Sequence, residues 1–220
     1  AMYDIILFDL DGTLTDPGIG ITNSVAHALA HWNIEVSDRA ELYKFIGPPL
    51  SDSFMRYYGF SEEDAIRAIA VYREYFSVKG LYENEVYPGI PELLESLKAQ
   101  GKTVVLATSK PEKFAVEILR HFGLYDYFDI IAGASMDESR NKKADVIAYA
   151  ISQMNAPDLS RLIMIGDREI DGKSGKNAGI DGALVNYYPR LPDGTCPADV
   201  SEMDYVASGL TELWEMLKNA

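Results

Sequence analysis

Short apolar runs of β-strand character recur along the chain, and helical patterns separate most of them. The first run, YDIILF, covers residues 3–8, and the second, TVVLAT, covers residues 103–108. Because strand–helix alternation at this spacing is typical of βαβ units, it predicts an α/β protein with a parallel sheet and helices on both faces. The further runs that support this prediction lie at 128–133, 162–167, 181–186 and, more weakly, 204–208.

The stretch between residues 16 and 85 interrupts this alternation. It contains no convincing strand, and its segment EEDAIRAIAVYREYFSVKG has the apolar spacing of an amphipathic helix. We therefore predict an inserted all-helical domain at 16–85, and an α/β core formed by residues 1–15 and 86–220. Gly18 and Gly20 are expected in the linker that leads into the insert. Helical patterns within the insert lie at 20–33, 38–46, 50–58 and 61–79.

The composition argues against several kinds of partner and site. With 34 acidic against 20 basic residues, the formal net charge is −14, and proteins that bind nucleic acid normally carry a basic stripe. No apolar run approaches the length needed to cross a bilayer, so no membrane partner is expected either. The single cysteine, Cys196, excludes an internal disulfide, and three histidines leave little for a zinc site. The N-terminal residues lack the pattern of a signal peptide, so a cytoplasmic location is expected.

The first apolar run leads directly into the sequence FDLDGTLTD, which places carboxylates at Asp9 and Asp11. Side chains two residues apart in a strand point to the same face, and open α/β sheets bind ligands at the carboxyl ends of their strands. Both carboxylates can therefore approach one site. Gly12 permits a turn and a close backbone approach, and the hydroxyl of Thr13 can hydrogen-bond a carboxylate or a phosphate. An anion at the end of a buried strand is costly unless a cation meets it, so the pattern calls for a positive partner.

Polar groups also follow the second and fourth runs. Thr108, Ser109 and Lys110 stand just before a proline at which a helix is expected to begin, and a hydroxyl beside helix N-terminal amides makes a cradle for phosphate. The fourth run ends in IGDREID, with Asp167 at the end of the strand and Asp171 one helical turn later. These strand ends add phosphate-binding and cation-binding groups to the edge of the sheet that carries the first two carboxylates.

In chain order, the sequences FDLDGTLTD, VVLATSKPE, SRNKKADVIAYAI and LIMIGDREID resemble the four motifs of the haloacid-dehalogenase-like phosphohydrolase superfamily. The details around the third motif are similar to the phosphoglycolate-phosphatase-like branch, and the resemblance covers essentially the whole chain. It implies a Rossmann-like core with an inserted helical cap. It also implies that Asp9 attacks phosphorus to form an aspartyl-phosphate, while Asp11 protonates the leaving oxygen and later deprotonates the hydrolytic water.

The resemblance assigns roles to the other strand ends as well. Thr108 would bind the transferring phosphoryl group with help from Ser109. The third motif is a lysine that begins a helix, and the branch pattern favours Lys143 over Lys142; its ammonium would offset charge between Asp9 and the phosphate. The remaining core residues expected to bind substrate are Gly12, Thr13 and Lys110.

A count of charges indicates which cation the site needs. Four aspartates bring up to four negative charges, the substrate phosphate adds nearly two more, and Lys143 supplies one positive charge. A hard divalent cation is needed, and an all-oxygen ligand set suits Mg²⁺. By resemblance to the family, the ligands are a carboxylate oxygen of Asp9, the backbone carbonyl of Asp11 and the carboxylate of Asp167, with Asp171 positioning metal-bound water.

The insert follows the first motif directly, where the superfamily carries its helical cap, a lid that excludes water and contacts substrate. Its segment FIGPPLSDSF, at 45–54, is interrupted by Gly47 and two prolines, and it resembles the specificity loop of phosphoglycolate-phosphatase-like and bacterial nucleotidase-like members. Arg56 is a candidate for binding a second anionic group of the substrate. The loop at 186–200 departs from the family pattern, and no role is assigned to it.

The sequence therefore predicts a Mg²⁺-dependent phosphatase that hydrolyses small-molecule phosphomonoesters, similar to phosphoglycolate phosphatases. A 5′-nucleotidase acting on nucleoside monophosphates and a phosphotransferase of the β-phosphoglucomutase type remain as alternatives. A phosphate-sensing module without catalysis is disfavoured, because Asp9, Asp11, Lys143 and Asp167 are all intact. The protein is expected to be a monomer or a weak homodimer.

Overall fold

A computed structural model describes residues 2–185, 187, 200–201 and 203–219 of the chain. Within those residues, no helix is both long enough and apolar enough to cross a bilayer. The strands are β1 (Ile5–Phe8), β2 (Thr15–Asp16), β3 (Glu85–Val86), β4 (Thr103–Pro111), β5 (Ile130–Ala134), β6 (Leu162–Gly166), β7 (Asp181–Val185) and β8 (Tyr205–Ala207).

The α-helices are short to medium in length. They are α1 (Gly18–Ala30), α2 (Leu50–Tyr58), α3 (Glu62–Phe76), α4 (Ile90–Ala99), α5 (Glu112–His121), α6 (Lys143–Ser152), α7 (Glu169–Asn177) and α8 (Leu210–Leu217). Short 3-10 helices cover Arg39–Phe45, Gly80–Tyr82, Tyr125–Tyr127 and Leu159–Arg161.

The chain divides into two compact units. One, the core unit, takes in Ala1–Leu14 and Tyr87–Ala220, and the other, the helical unit, takes in Thr15–Val86. The chain therefore leaves the core unit after Leu14, beyond the end of β1, and returns to it at Tyr87, before α4.

The core unit contains a six-stranded sheet in the order β5-β4-β1-β6-β7-β8, and every neighbouring pair is parallel. From β1 the chain moves outward through β4 and β5, returns to β6 on the other side, and continues outward. The direction of winding thus reverses between β1 and β6, and α/β sheets bind ligands beyond the carboxyl ends of the strands at such a point. This topology confirms the predicted α/β class.

Apolar strand residues form the interior because helices cover the sheet. On one face, α6 packs Val146 and Ile147 against Leu7 of β1, Val105 of β4 and Met164 of β6, and all five are fully buried. Strands that are buried on both faces have continuous apolar runs rather than alternating ones. This is why β1, β4 and β6 could be predicted from the sequence.

The helical unit is built mainly from α1, α2 and α3. Its interior is aromatic: Phe45 packs edge-on against Phe54 with ring centroids 5.2 Å apart, and Phe54 stacks on Phe60 at 5.6 Å. The predicted helix at 38–46 is a 3-10 helix over Arg39–Phe45.

Two details of the helical unit differ from the sequence-based expectation. It is not entirely helical, because β2 and β3 form an antiparallel ribbon that pairs Thr15 with Val86; two-residue strands are too short to leave a periodic pattern. Gly18 and Gly20 are not in a linker, because α1 begins at Gly18; a Cβ added to Gly20 would lie 1.9 Å from the carbonyl oxygen of Gly80. This glycine permits close backbone packing rather than a flexible connection.

Candidate active site

The carboxyl end of β1 carries Asp9 and Asp11, which are only 4% and 6% exposed. The backbone N–H of Asp9 still bonds to the carbonyl of Ile165 in β6, at 2.9 Å, so the sheet fixes the first carboxylate. After it the chain turns, and the carbonyl of Leu10 accepts hydrogen bonds from the backbone N–H groups of Thr13 and Leu14. The turn brings both carboxylates to the point where the winding of the sheet reverses.

Asp167 follows the end of β6 and lies against this turn. Its Oδ1 accepts a hydrogen bond from the hydroxyl of Thr13 at 3.1 Å. A Cβ added to Gly12 would lie 2.3 Å from the Oδ2 of Asp167, and Gly12 has a φ of +85°, so both space and backbone geometry favour glycine there. The turn that follows β1 thus packs closely against the carboxylate of Asp167, the residue that follows β6.

Asp171 lies in the first turn of α7 and is completely buried. Its Oδ2 accepts a hydrogen bond from the backbone N–H of Arg168 at 3.2 Å. Gly166 makes room for it, because a Cβ at that position would approach the same oxygen to 2.0 Å. Ligand oxygens of Asp9, Asp167 and Asp171 all lie within 4.8 Å of one another.

Lys143 begins α6 and reaches the same cluster while being only 6% exposed. Its Nζ lies 2.7 Å from Oδ1 of Asp9 and 3.1 Å from Oδ1 of Asp171, and it donates to the carbonyl of Ala107 at 3.1 Å. Lys142, the alternative in the sequence, is exposed. The lysine that stands beside the carboxylates is therefore Lys143.

The end of β4 supplies the third side of the site. Thr108, Ser109 and Lys110 are all buried, and the Oγ1 of Thr108 accepts a hydrogen bond from the backbone N–H of Lys110 at 3.1 Å. The Nζ of Lys110 lies 3.2 Å from Oδ2 of Asp11. The sequence predicted Lys110 as a substrate-binding residue, and this ion pair with the second aspartate was not anticipated.

Burial and mutual repulsion perturb the carboxylates. Burial raises the pKa of Asp11, the charge of Asp9 raises it further, and Lys110 partly offsets both. Burial and the neighbouring carboxylates also raise the pKa of Asp167 well above its ordinary value. For Asp171, burial raises the pKa to about 6 although Lys143 opposes the shift.

The same carboxylates also shift the pKa of Lys143. Burial by itself would lower the pKa of Lys143, but the carboxylates of Asp9 and Asp171 outweigh it and hold the pKa above its ordinary value. Lys143 therefore remains a cation at neutral pH, and it is a fixed positive charge beside the first aspartate.

The donor set fits a hard divalent cation. Three carboxylates converge, no sulfur or imidazole joins them among the described residues, and oxygen-only sites suit Mg²⁺. Oδ1 of Asp11 is buried and accepts no hydrogen bond from the described residues, while Oδ1 of Asp171 is buried beside the ammonium of Lys143. The three clustered carboxylates face the one ammonium group of Lys143, which leaves an excess of two negative charges that a divalent cation would balance.

The remaining predicted site residues belong to the helical unit. Gly47 lies between the 3-10 helix Arg39–Phe45 and α2, with a φ of +104°. Arg56 is exposed on α2, and its guanidinium lies 5.5 Å from the ring centroid of Tyr57.

The loop at 186–200, to which no role was assigned, is described only at Tyr187 and Val200, and Cys196 lies outside the described residues. Tyr187 belongs to the surroundings of the site, because its hydroxyl donates a hydrogen bond to the carbonyl of Thr13 at 2.9 Å. No signal in the sequence marks this tyrosine, since it follows the fifth apolar run without a motif.

The core unit thus combines a parallel sheet wound in this order with an aspartate pair after its first strand and with a lysine and two further aspartates around that pair. The sequence matches the family described as haloacid dehalogenase-like hydrolase over residues 6–185, and the chain belongs to this family. The predicted superfamily is confirmed.

Named relatives extend the comparison. A 5′-nucleotidase from Pseudomonas aeruginosa is 48% identical over 185 residues, which cover 84% of this chain and 83% of that protein. The tyrosine-protein kinase PtkA of Mycobacterium tuberculosis is 42% identical over 183 residues, and the match covers 83% of this chain and 62% of PtkA. The crystal structure of a predicted phosphatase from Clostridium acetobutylicum is 44% identical, with a TM-score of 0.92 and 98% of each chain covered. Together with the family, the nucleotidase and the structure of the predicted phosphatase confirm that the protein is a phosphatase.

Proposed function

We propose that this protein is a Mg²⁺-dependent phosphatase of small-molecule phosphomonoesters that works through an aspartyl-phosphate. The observation that carries the proposal is the pairing at the end of β1. Asp9 is buried, ion-paired to Lys143 and clustered with two more carboxylates, while Asp11 stands two residues on with one oxygen free of hydrogen bonds from the described residues. One carboxylate is thus held for bond formation and the other is available for proton transfer.

In the first half-reaction, a carboxylate oxygen of Asp9 bonds to phosphorus while the bond from phosphorus to the ester oxygen breaks. The leaving oxygen takes its proton from Asp11, and burial helps Asp11 to hold that proton at higher pH than an exposed aspartate would. The hydroxyls of Thr108 and Ser109 and the charge of Lys143 hold the phosphoryl oxygens as negative charge moves.

In the second half-reaction, Asp11 removes a proton from water as the water oxygen bonds to phosphorus. The bond between phosphorus and Asp9 breaks, phosphate leaves, and both aspartates return to their starting states. Lys143 holds the carboxylate of Asp9 in one orientation throughout, because its ammonium also contacts Asp171 and the carbonyl of Ala107.

Asp9, the backbone carbonyl of Asp11 and Asp167 would hold the cation, with Asp171 beside them. When bound, a divalent ion would neutralise charge on the carboxylates and on the incoming phosphate. Without such a charge, a phosphate dianion would approach a site that already carries an excess of negative charge.

For the substrate, the relative named 5′-nucleotidase, at 48% identity, favours nucleoside 5′-monophosphates as the first class to test. Phosphoglycolate, the class that the sequence motifs resembled, is the second. Gly47 and Arg56 of the helical unit stay proposed as substrate-binding residues, and the monomeric or weakly dimeric state, the cytoplasmic location and the absence of nucleic-acid and membrane partners stay predictions.

The similarity to PtkA gives a second candidate function, transfer of a phosphoryl group to a protein tyrosine. It rests on part of PtkA, since the match covers 62% of that chain. A hydrolase releases phosphate over many turnovers, whereas a transferase leaves the phosphoryl group on an acceptor, as a mutase of the β-phosphoglucomutase type also would.

The test is a measurement of phosphate release with p-nitrophenyl phosphate, nucleoside 5′-monophosphates, phosphoglycolate and β-glucose 1-phosphate, each with Mg²⁺ and with a chelator. We expect Mg²⁺-dependent turnover, highest with a nucleotide, and a loss of more than roughly 1000-fold in Asp9→Asn. Asp137→Asn is the matched control, because Asp137 is an exposed aspartate that is hydrogen-bonded to Ser139 in another loop. Retained turnover in Asp9→Asn would refute the assigned nucleophile, and phosphoryl transfer without release would favour the second candidate.

A further inference from the structure

Tyr187 is held at both ends of its side chain. Its hydroxyl donates to the backbone carbonyl of Thr13 at 2.9 Å, and its ring stacks on that of Tyr87, with centroids 4.1 Å apart and planes 15° from parallel. The backbone N–H of Tyr87 in turn donates to the carbonyl of Leu14 at 3.1 Å. Tyr187 therefore contacts the chain just before it leaves the core unit and just after it returns.

Thr13 connects this tyrosine with the cation-binding cluster. While its backbone carbonyl accepts from Tyr187, its hydroxyl donates to Oδ1 of Asp167, and the residue is 1% exposed. The neighbouring Gly12 packs so closely on Asp167 that no side chain fits between them. A shift of the Thr13 backbone would therefore be passed to the carboxylate of Asp167, since nothing between them can absorb it.

We propose that Tyr187 is a positioning residue for the cation site, which acts through Thr13 to hold Asp167 in the orientation that meets Asp9 and Asp171. Groups that orient a metal ligand from behind are known to change metal affinity without touching the ion. Tyr187 is one step further out than such a group, because it bonds to the residue that bonds to the ligand. The identity of the cation rests on the proposed function.

Tyr187 is suited to this part because it remains a hydrogen-bond donor. Burial raises the pKa of its phenol, and the negative charge of Asp167 raises it further, so the hydroxyl keeps its proton at neutral pH. The stack on Tyr87 restricts the ring in addition, which leaves the hydroxyl few other directions.

The experiment measures the dissociation constant of Mg²⁺ by calorimetry, with full-length protein stripped of metal. Tyr187→Phe removes the hydroxyl and keeps the ring, and we expect it to weaken Mg²⁺ binding roughly 5-fold, somewhat less than the loss of a group that bonds directly to a ligand. Thr13→Val removes the hydroxyl that bonds to Asp167 and should weaken binding by roughly 10-fold or more. Because Tyr187 acts through Thr13, the double variant should bind no more weakly than Thr13→Val alone.

Tyr75→Phe is the matched control. The hydroxyl of Tyr75 donates to Glu83 at 2.8 Å inside the helical unit, so its removal costs a similar hydrogen bond but involves no residue of the cation site. We expect wild-type Mg²⁺ affinity in this variant. Should Tyr187→Phe not fold, Tyr87→Leu carries the test, since it removes the ring on which Tyr187 stacks and should weaken Mg²⁺ binding roughly 2-fold, less than the loss of a group that bonds directly to a metal ligand.

Wild-type affinity in folded Tyr187→Phe would overturn the proposal. Additive losses in the double variant would also overturn it, because they would mean that the tyrosine does not act through Thr13. Absence of Mg²⁺ binding by the wild type would overturn it as well. A wild type that binds Mg²⁺ but releases no phosphate from any ester would overturn the proposed function alone, since the affinity measurements do not depend on turnover.

Discussion

The two compact units differ in whether they bury charged side chains. In the helical unit the buried polar side chains are all hydroxyls, those of Thr15, Thr22, Ser24 and Ser53, and no charged side chain of Thr15–Val86 is buried. In the described part of the core unit, six charged side chains are buried: Asp9, Asp11, Lys102, Lys110, Lys143 and Asp171.

Five of those six meet at the carboxyl end of the sheet. Burying a charge costs free energy even when it is paired, and a hydrophobic replacement is often at least as stable. A cluster of this kind therefore contributes little to folding, and the proposed function gives it a chemical role. Under the proposed function, the unit that buries these charges is also the unit in which the phosphoryl group is transferred. The following experiments test that contrast, beginning with the largest effect.

Removing the buried lysine should have the largest effect on activity. Lys143→Met leaves Asp9 and Asp171 without their shared cation, and we expect kcat/KM for p-nitrophenyl phosphate to fall about 100- to 1000-fold. Lys142→Met changes an exposed lysine one residue earlier, and it should retain activity within about 2-fold, as surface substitutions away from such features usually do. Equal losses in both variants would contradict the assignment of Lys143.

The crowded carboxylates should make the metal-free protein less stable as pH rises. The pKa of Asp171 is raised in the folded state to about 6, so its favourable contribution is complete below the ordinary aspartate pKa and is lost as pH rises to about 6. The shift of this one group corresponds to a loss on the order of 3 kcal/mol. Chemical denaturation in the presence of a chelator, at several pH values between about 4 and 7, measures it.

Asp171→Asn should flatten that pH dependence, and Mg²⁺ should stabilise the wild type more at neutral than at acid pH. Asp137→Asn is the control, because hydrogen bonds from Ser135 and Ser139 lower the pKa of Asp137 to about 2 and it stays ionised across the same interval. If the free energy of unfolding of Asp171→Asn depended on pH as steeply as that of the wild type, the Asp171 carboxylate would not be the cause of the pH dependence.

Gly12 and Gly59 both have a positive φ, so replacing each by alanine distinguishes the cost of backbone strain from the cost of crowding at the site. Gly12→Ala would bring a Cβ to 2.3 Å from Asp167, and we expect roughly 10-fold weaker Mg²⁺ binding together with lower activity. Gly59→Ala meets nothing within 4 Å in the helical unit, so it should cost only the backbone strain of about 1 kcal/mol and leave activity unchanged. Activity assays beside urea unfolding would distinguish the two effects, and equal activity losses would refute the contrast.

The smallest effect is expected at the surface of the helical unit. Glu74 lies 3.3 Å from the imidazole of His27, and its side chain is 67% exposed. Because exposed ion pairs contribute little, Glu74→Gln should change the free energy of unfolding by no more than about 0.5 kcal/mol. A loss of several kcal/mol would mean that charges in this unit also matter for stability.

Much of the fold was predictable because its signals are local. The central strands are continuous apolar runs, and a charged or hydroxyl residue directly after each run predicts which side chains reach the edge of the sheet. The structure brings Asp9, Lys143 and Asp167 together there, although they are far apart in the chain.

What could not be predicted depends on register and on short elements. The pairing of Lys110 with Asp11 requires β4 to continue through Pro111 with an irregular register, which no local pattern records. The ribbon of β2 and β3 is too short for periodicity, and Tyr187 acts through a backbone carbonyl that any residue at position 13 would offer.

The ribbon has a consequence for the modularity of the chain. Asp16 pairs directly with Glu85 at its open end, in the register of a two-residue hairpin. An Asn-Gly turn would therefore join these residues in place of the whole stretch between them, because that dipeptide favours such a turn. The helical insertion leaves and returns through neighbouring positions, so excising it, or exchanging it for the insertion of a relative, need not alter the register of the catalytic sheet.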